Sequence, residues 1–338
     1  MQSPILLVGL PRSGSTLVSR ILNESLNCFI INDFYYLQYV ESIGGYAQSN
    51  AQTKALLADF IVAQIRNRTR PADLEDDIIF GLPFSESQLN EIKAFVDTYK
   101  EDGEVKNWAQ VLQDIMQFAA ELSGKPIWGY NTPQDYLNTG RIHEHFPEAK
   151  FIFLLRSPSA TLLSYKYYWT TLPKFKRDRG RYHPVIQSLA WKTCVKTYFD
   201  VREDYGQEHC MLIKFEEVLH NTDNVLAEIH QFSGMEFPKI DLKSFSNNSS
   251  LTQKSGERQP KELTGLEIKI CNRLTQEEQQ RLNYEQTSDK DIAIADFAKL
   301  LTTTARNSVY YSSQIVFSRN VRKRVLKFVN QVTLQAGK

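Results

Sequence analysis

Short, unbroken apolar runs alternate with longer amphipathic stretches along this chain. Ile5-Leu6-Leu7-Val8 is apolar at every position and closes at Gly9, the pattern of a strand buried on both faces. Runs at Cys28–Ile31, Ile127–Tyr130, Phe151–Leu155 and Met211–Ile213 predict further strands. Helical periodicity lies between them, at Ser15–Leu26, Thr139–His145, Ala160–Tyr168, Pro184–Tyr205 and Asn221–Ser233. Residues 35–122 are mainly helical in pattern, clearest at Ala55–Ile65 and Trp108–Leu122, with breaks at Pro71 and Gly81-Leu82-Pro83. A stretch that long is an insertion over the sheet, not a crossover. Ser244–Lys261 is polar and reads as a loop, and helical pattern resumes from Thr275. Strand–helix alternation of this kind predicts an α/β, three-layer fold with a central, mainly parallel sheet. The organisation expected is one domain over residues 1–315, with 35–122 inserted over the sheet, and a basic C-terminal helix over 316–338.

Composition narrows the function. A chain of 338 residues, 42% hydrophobic, can bury a sizeable core. Lys+Arg total 40 against 39 Asp+Glu, a balance that does not call for nucleic acid as a partner. Cys28, Cys194, Cys210 and Cys271 are scattered without a C-x-x-C pair, which argues against a zinc site or disulfide framework and for reduced, buried thiols. Pro4–Leu10 is too short to span a bilayer and no signal peptide is evident, so no stable membrane insertion and a cytoplasmic location are expected. The basic run Lys174–Arg181 reads as a solvated loop, and Arg319–Lys327 as a basic amphipathic helix packed on the domain with its cationic face exposed.

The strongest chemical signal is Gly9-Leu10-Pro11-Arg12-Ser13-Gly14-Ser15-Thr16. It follows a strand and opens a helix, where backbone N–H groups converge on an anion. Its spacing is G-x-x-x-x-G, but Ser15 stands where a nucleotide triphosphatase carries Lys, and the cation sits earlier, at Arg12. The strand Phe151–Leu155 then ends in Arg156, where a Mg²⁺-binding strand would end in Asp. Arg156 and Ser164, in the following helix, suit a second phosphate.

Together these motifs resemble the PAPS-dependent sulfotransferase family, in the branch similar to protein-tyrosine and bacterial small-molecule sulfotransferases. Pro11-Arg12-Ser13-Gly14-Ser15-Thr16-Leu17 is similar to its 5′-phosphosulfate loop, and Arg156-Ser157-Pro158 with Ser164 to its 3′-phosphate motif. Phe146–Phe151 resembles the entry to that strand, and Lys214-Phe215-Glu216-Glu217-Val218 a later strand end with Phe in the Tyr place. The likeness extends over residues 4 to about 265 and implies a P-loop-like fold, PAPS as donor with PAP as product, no metal, and a small-molecule acceptor such as a natural product.

Carried onto this sequence, the resemblance gives Arg12 the charge-neutralising role, Ser13, Gly14, Ser15 and Thr16 the 5′-phosphate, and Arg156 and Ser164 the 3′-phosphate. Ser250, Lys254 and Arg258 lie in a polar loop similar to the one that covers the nucleotide. Counting on from Arg12, the place of the family's acidic base falls on Asp33, at the carboxyl end of a strand; Asn32-Asp33 also suits a turn or helix cap. Glu41 and His143 are weaker bases. The family's Lys after the third strand is replaced by Asn131-Thr132, so either these two donate hydrogen bonds there or another cation serves. Two further readings share the glycine loop: a P-loop kinase or NTPase, and an inactive nucleotide-binding scaffold.

Overall fold

The computed structural model describes residues 4–69, 81–171, 178–245 and 262–317. Five strands, β1 (Ile5–Gly9), β2 (Cys28–Asn32), β3 (Ile127–Asn131), β4 (Lys150–Leu155) and β5 (Cys210–Lys214), form a sheet in the order β2-β3-β1-β4-β5. The pairs β1–β3, β1–β4 and β2–β3 are all parallel, with Leu7 opposite Asn131 and Asn32 opposite Asn131. The helices are α1 (Ser15–Asn23), α2 (Tyr36–Ser42), α3 (Ala51–Arg68), α4 (Glu86–Glu101), α5 (Trp108–Ser123) and α6 (Thr139–His145). After them come α7 (Pro158–Thr171), α8 (Pro184–Tyr205), α9 (Phe215–His220), α10 (Thr222–Ser233), α11 (Gly265–Arg281) and α12 (Ile294–Phe317). Two compact units result: one of Met1–Gly9, Gly14–Leu154 and Val201–Gln253, the other of Leu10–Ser13, Leu155–Asp200 and Lys254–Lys338.

In the first unit the strands are apolar on both faces because helices cover both. Ile5, Leu7, Ile30 and Ile152 pack on Leu17, Val18 and Ile21 of α1 and on Val225 and Ile229 of α10. On the opposite face Phe29 meets Phe84 edge-on at 5.4 Å, Phe34 meets Tyr130 at 5.3 Å, and the Tyr36 hydroxyl donates to the Trp108 carbonyl at 2.7 Å. Each such side chain taken from water contributes about 1.5–3 kcal/mol. The insertion helices are locally encoded. Asn50 caps α3 by accepting from Thr53 N at 2.8 Å, and Ser85–Gln88 and Asn107–Gln110 form capping boxes on α4 and α5. Lys54, fully buried on α3, pairs with Asp102 and lies 4.9 Å from the Tyr99 ring centroid, which ties α3 to α4.

The helix expected to reach Leu26 ends at Asn23, because the Asn23 amide donates to Ile30 O at 2.8 Å and accepts from Ile30 N at 2.7 Å. That pair turns the chain directly into β2. The segment read as a strand end at Lys214–Val218 is where β5 gives way to α9.

The second unit is built around Glu267. This buried carboxylate accepts from the Thr264 backbone at 2.8 Å, from Lys166 at 2.6 Å and from the Tyr182 hydroxyl at 2.7 Å. The Thr264–Glu267 capping box starts α11 ten residues before the helical pattern is expected to resume at Thr275. Residues 178–181 of the basic run are anchored rather than solvated: the Arg181 guanidinium stacks 4.3 Å from the Trp169 centroid, and its Nε donates to Tyr310 Oη at 2.7 Å. Residues 174–177 and nearly all of 316–338 lie outside the described residues. The four cysteines are unpaired and buried. No helix among the described residues is long and apolar enough to cross a membrane.

Candidate functional site

Parallel strands put all their carboxyl ends at one edge of the sheet, and the candidate residues of the first unit follow those ends. β1 ends at Gly9, where a Cβ would lie 2.3 Å from the Leu154 carbonyl oxygen of β4. Gly14 then serves as N-cap of α1 at φ 95°, accepting from Val18 N at 3.1 Å. A Cβ at Gly14 would fall 2.1 Å from the Phe215 ring, so only glycine fits between this ring and the helix start. Ser15 and Thr16 are the first two residues of α1. Gly14 brings no side chain to cap the helix, and the first turn holds no acid, which leaves its N–H groups suited to an anion.

Asp33 and Tyr35 follow β2, both left-handed, at φ 51° and 50°. Each such non-glycine residue costs about 1–3 kcal/mol and persists only where neighbours hold it. Phe34 N donates to Asn131 O at 3.2 Å and Tyr35 N to Thr132 Oγ1 at 3.0 Å. From the last turn of α3, Arg68 donates through Nε to Asn32 O and through Nη2 to Asp33 O, the latter at 2.7 Å. Burial lowers the Arg68 pKa, and the neighbouring Asp33 opposes that shift. The Asp33 carboxylate, half-buried, accepts from the Tyr35 hydroxyl at 3.2 Å. The Asn131 amide donates to Asn32 Oδ1. Asn131 and Thr132 are thus both engaged around the β2–α2 turn.

In the second unit Arg12 is left-handed at φ 75°, and its guanidinium lies 4.3 Å from the Tyr168 ring centroid on α7. Ser13 donates its N–H to Leu10 O at 3.2 Å, and its fully buried hydroxyl has no partner among the described residues. A buried hydroxyl without a partner is costly, and a bound anion would satisfy it. Arg156 follows β4, and its carbonyl accepts from Trp191 Nε1 at 2.8 Å. Ser164 lies half-buried in α7, whose first turn is fixed by Thr161 N donating to Ser157 O at 2.9 Å. Ser250, Lys254 and Arg258 lie outside the described residues.

Of the weaker base candidates, Glu41 sits on α2, and the His143 ring stacks on Tyr205 at 3.7 Å with His209 at 5.6 Å. Burial, then the nearby His209, holds the His143 pKa below its ordinary 6.5; burial does the same to His183. A depressed histidine pKa means that the unfolded chain binds more protons than the folded one below pH 6.5. Stability from these two residues is therefore complete above about pH 6.5 and falls as the pH drops towards the folded-state values. The expected result is a urea midpoint that declines from pH 7 to pH 5.5, with a shallower decline in His143→Phe, which keeps the stack on Tyr205. An equal slope in the variant would show that His143 makes no contribution.

Two long-range contacts that matter here carry no signal in the sequence, although Phe215 itself stands in the strand end singled out above. Arg68 closes an ordinary helix 35 positions from Asp33, and Phe215 reaches Gly14 from beyond β5. Spacing within a motif does not reveal such long-range contacts.

A parallel sheet in this order, opening through a glycine loop into a helix start, defines the P-loop-like class of α/β proteins. A sequence model of the sulfotransferase family matches residues 4–239, well over half of the chain and parts of both units. The chain belongs to the sulfotransferase family. No curated protein matches it. Among solved structures it is similar to the sulfotransferase domain from the curacin biosynthetic pathway, at 16% identity and TM-score 0.49 over 85% of this chain and 99% of that one. It is similar also to the sulfotransferase domain of the Synechococcus PCC 7002 olefin synthase, at 15% and 0.47 over 85% and 98%. A sulfotransferase from Alicyclobacillus acidocaldarius matches at 16% and 0.41 over 91% and 95%.

Proposed function

We propose that this sulfotransferase moves a sulfuryl group from PAPS to a hydroxyl or amine of a small-molecule acceptor of natural-product type, without a metal. The observation that carries the reading is the loop 9–16: a cation at Arg12, a buried hydroxyl at Ser13 with no partner among the described residues, and an uncapped helix start at Gly14. All three suit an anion, and a second cation, Arg156, follows β4.

The donor supplies a sulfuryl group already activated by its bond to the 5′-phosphate. Ser13, Gly14, Ser15 and Thr16 hold that phosphate through backbone and hydroxyl donors. Arg12 neutralises the charge that grows on the bridging oxygen as the S–O bond breaks. Asp33 takes the proton from the attacking acceptor as the new bond to sulfur forms. Arg156 and Ser164 grip the 3′-phosphate.

Thermal unfolding with ligands tests this reading. PAP without metal is expected to stabilise the protein by about 2.7 kcal/mol at a hundredfold excess over its Kd. Arg156→Ala is expected to erase most of the preference for PAP over 5′-AMP. Stabilisation by ATP with Mg²⁺ and none by PAP would move the protein to the kinase class.

A further inference from the structure

The turn that carries Asp33 is held by groups from two directions. β3 contributes the Asn131 carbonyl, accepting from Phe34 N, and Thr132 Oγ1, accepting from Tyr35 N. α3 contributes Arg68, whose guanidinium donates to the carbonyls of both Asn32 and Asp33. The remaining edge of that fork is fixed as well, because Nη1 donates to the Gln64 side chain one helical turn earlier. Gln64 thus aims Arg68, and Arg68 holds two consecutive carbonyls. Between those carbonyls lies Asp33 at φ 51°, and two residues on, Tyr35 is at φ 50°, both unfavourable for a residue other than glycine.

An arginine is suited to this task because its planar fork presents several donors at fixed angles and remains charged when half-buried. A lysine keeps the charge but not the two-carbonyl grip. Tying α3 to the sheet would need only one such bond. Two bonds to adjacent carbonyls fix the rotation of the peptide between them, and with it the direction in which the Asp33 side chain leaves the backbone.

We infer that Arg68 is a positioning residue for sulfuryl transfer: by gripping the carbonyls of Asn32 and Asp33 it holds the left-handed turn that aims the Asp33 carboxylate at the acceptor. The inference rests on the reading of Asp33 as the base. Arg68 does not touch the reacting atoms in this scheme and acts entirely through Asp33. Its loss therefore lowers turnover without weakening donor binding, and has little left to remove once Asp33 itself is disabled.

The test is a double-mutant cycle with Arg68→Met, Asp33→Asn and the pair, alongside Arg68→Lys. Each protein is given [35S]PAPS and a panel of simple alcohols and phenols, and label released to water is counted as turnover too. Rates are corrected for the folded fraction. Arg68→Met is expected to lower kcat about 100-fold, the effect of misplacing a reacting group by about 1 Å. KM for PAPS and the stabilisation by PAP are expected to stay at wild-type values, and the acidic limb of the pH–kcat profile to move to higher pH. Arg68→Lys restores part of the rate, and carries the test if Arg68→Met does not fold. In the Asp33→Asn background Arg68→Met is expected to cost less than about twofold. Losses that multiply in the double variant, or a loss confined to KM for PAPS, overturn the positioning role alone. Full turnover by Asp33→Asn overturns the base and this inference with it. A wild-type protein that neither binds PAP nor consumes PAPS overturns sulfuryl transfer itself.

Discussion

Arg12→Gly is expected to reduce sulfuryl transfer by about 10³-fold or more while the protein stays folded, the scale on which an arginine that neutralises transition-state charge acts in group transfer. Glycine is the informative replacement. Arg12 sits at φ 75°, a conformation that favours glycine, so the variant is expected to be as stable as wild type or slightly more so. Loss of rate then cannot be assigned to a collapsed loop. The guanidinium is also held: it stacks over Tyr168 at 4.3 Å. Tyr168→Leu removes that support but leaves the charge, and a contact of this kind is worth about 1 kcal/mol, so a roughly fivefold fall in kcat is expected. In the Arg12→Gly background the same change is expected to do little, because there is no cation left to hold. Rates under saturating PAPS, with melting curves of the same samples, check the set. Turnover near normal in folded Arg12→Gly would remove Arg12 from the mechanism.

What the sequence makes legible here follows from the range of the interactions. Strands buried on both faces are written as unbroken apolar runs, so β1 to β5 are found within a residue or two. The loop is legible because its geometry depends on consecutive residues: Gly14 must be glycine, and Ser15 and Thr16 begin a helix. Asp33 is legible in place but not in conformation, since its left-handed φ is imposed by Arg68, Asn131 and Thr132, which lie 35 to 99 residues away. The division into two compact units is hidden for the same reason. Leu10–Ser13 belong with α7 and α8, and Gly14 belongs with the sheet, and no change of composition marks that boundary. Helix ends are misread where a tertiary bond sets them, as at Asn23, whose amide closes on Ile30 before the amphipathic pattern has run out.

Gly14→Ala is expected to destabilise the first unit by about 2–5 kcal/mol, combining about 1–2 for a left-handed non-glycine residue with about 1–3 for forcing a methyl into a packed site. The site is packed by Phe215, whose ring lies 2.1 Å from where the new Cβ would sit. Because Gly14 is also the N-cap of α1, a backbone shift that relieves the clash moves the N–H groups of the first helical turn, and PAP affinity falls together with stability. Phe215→Ala alone is expected to cost about 3–5 kcal/mol, since the ring is almost wholly buried. In the double variant the ring that opposed the methyl is gone, so the two losses do not add: a coupling of about 1–3 kcal/mol in the favourable direction is expected, leaving only the dihedral cost of alanine at φ 95° on top of the Phe215→Ala loss. Urea unfolding of the four proteins, with PAP titrations on each, separates the two parts. A Gly14→Ala melting point within about 1 °C of wild type, or strictly additive losses, would mean that Phe215 does not fix the start of α1 and that the loop tolerates a side chain where the anion is proposed to bind.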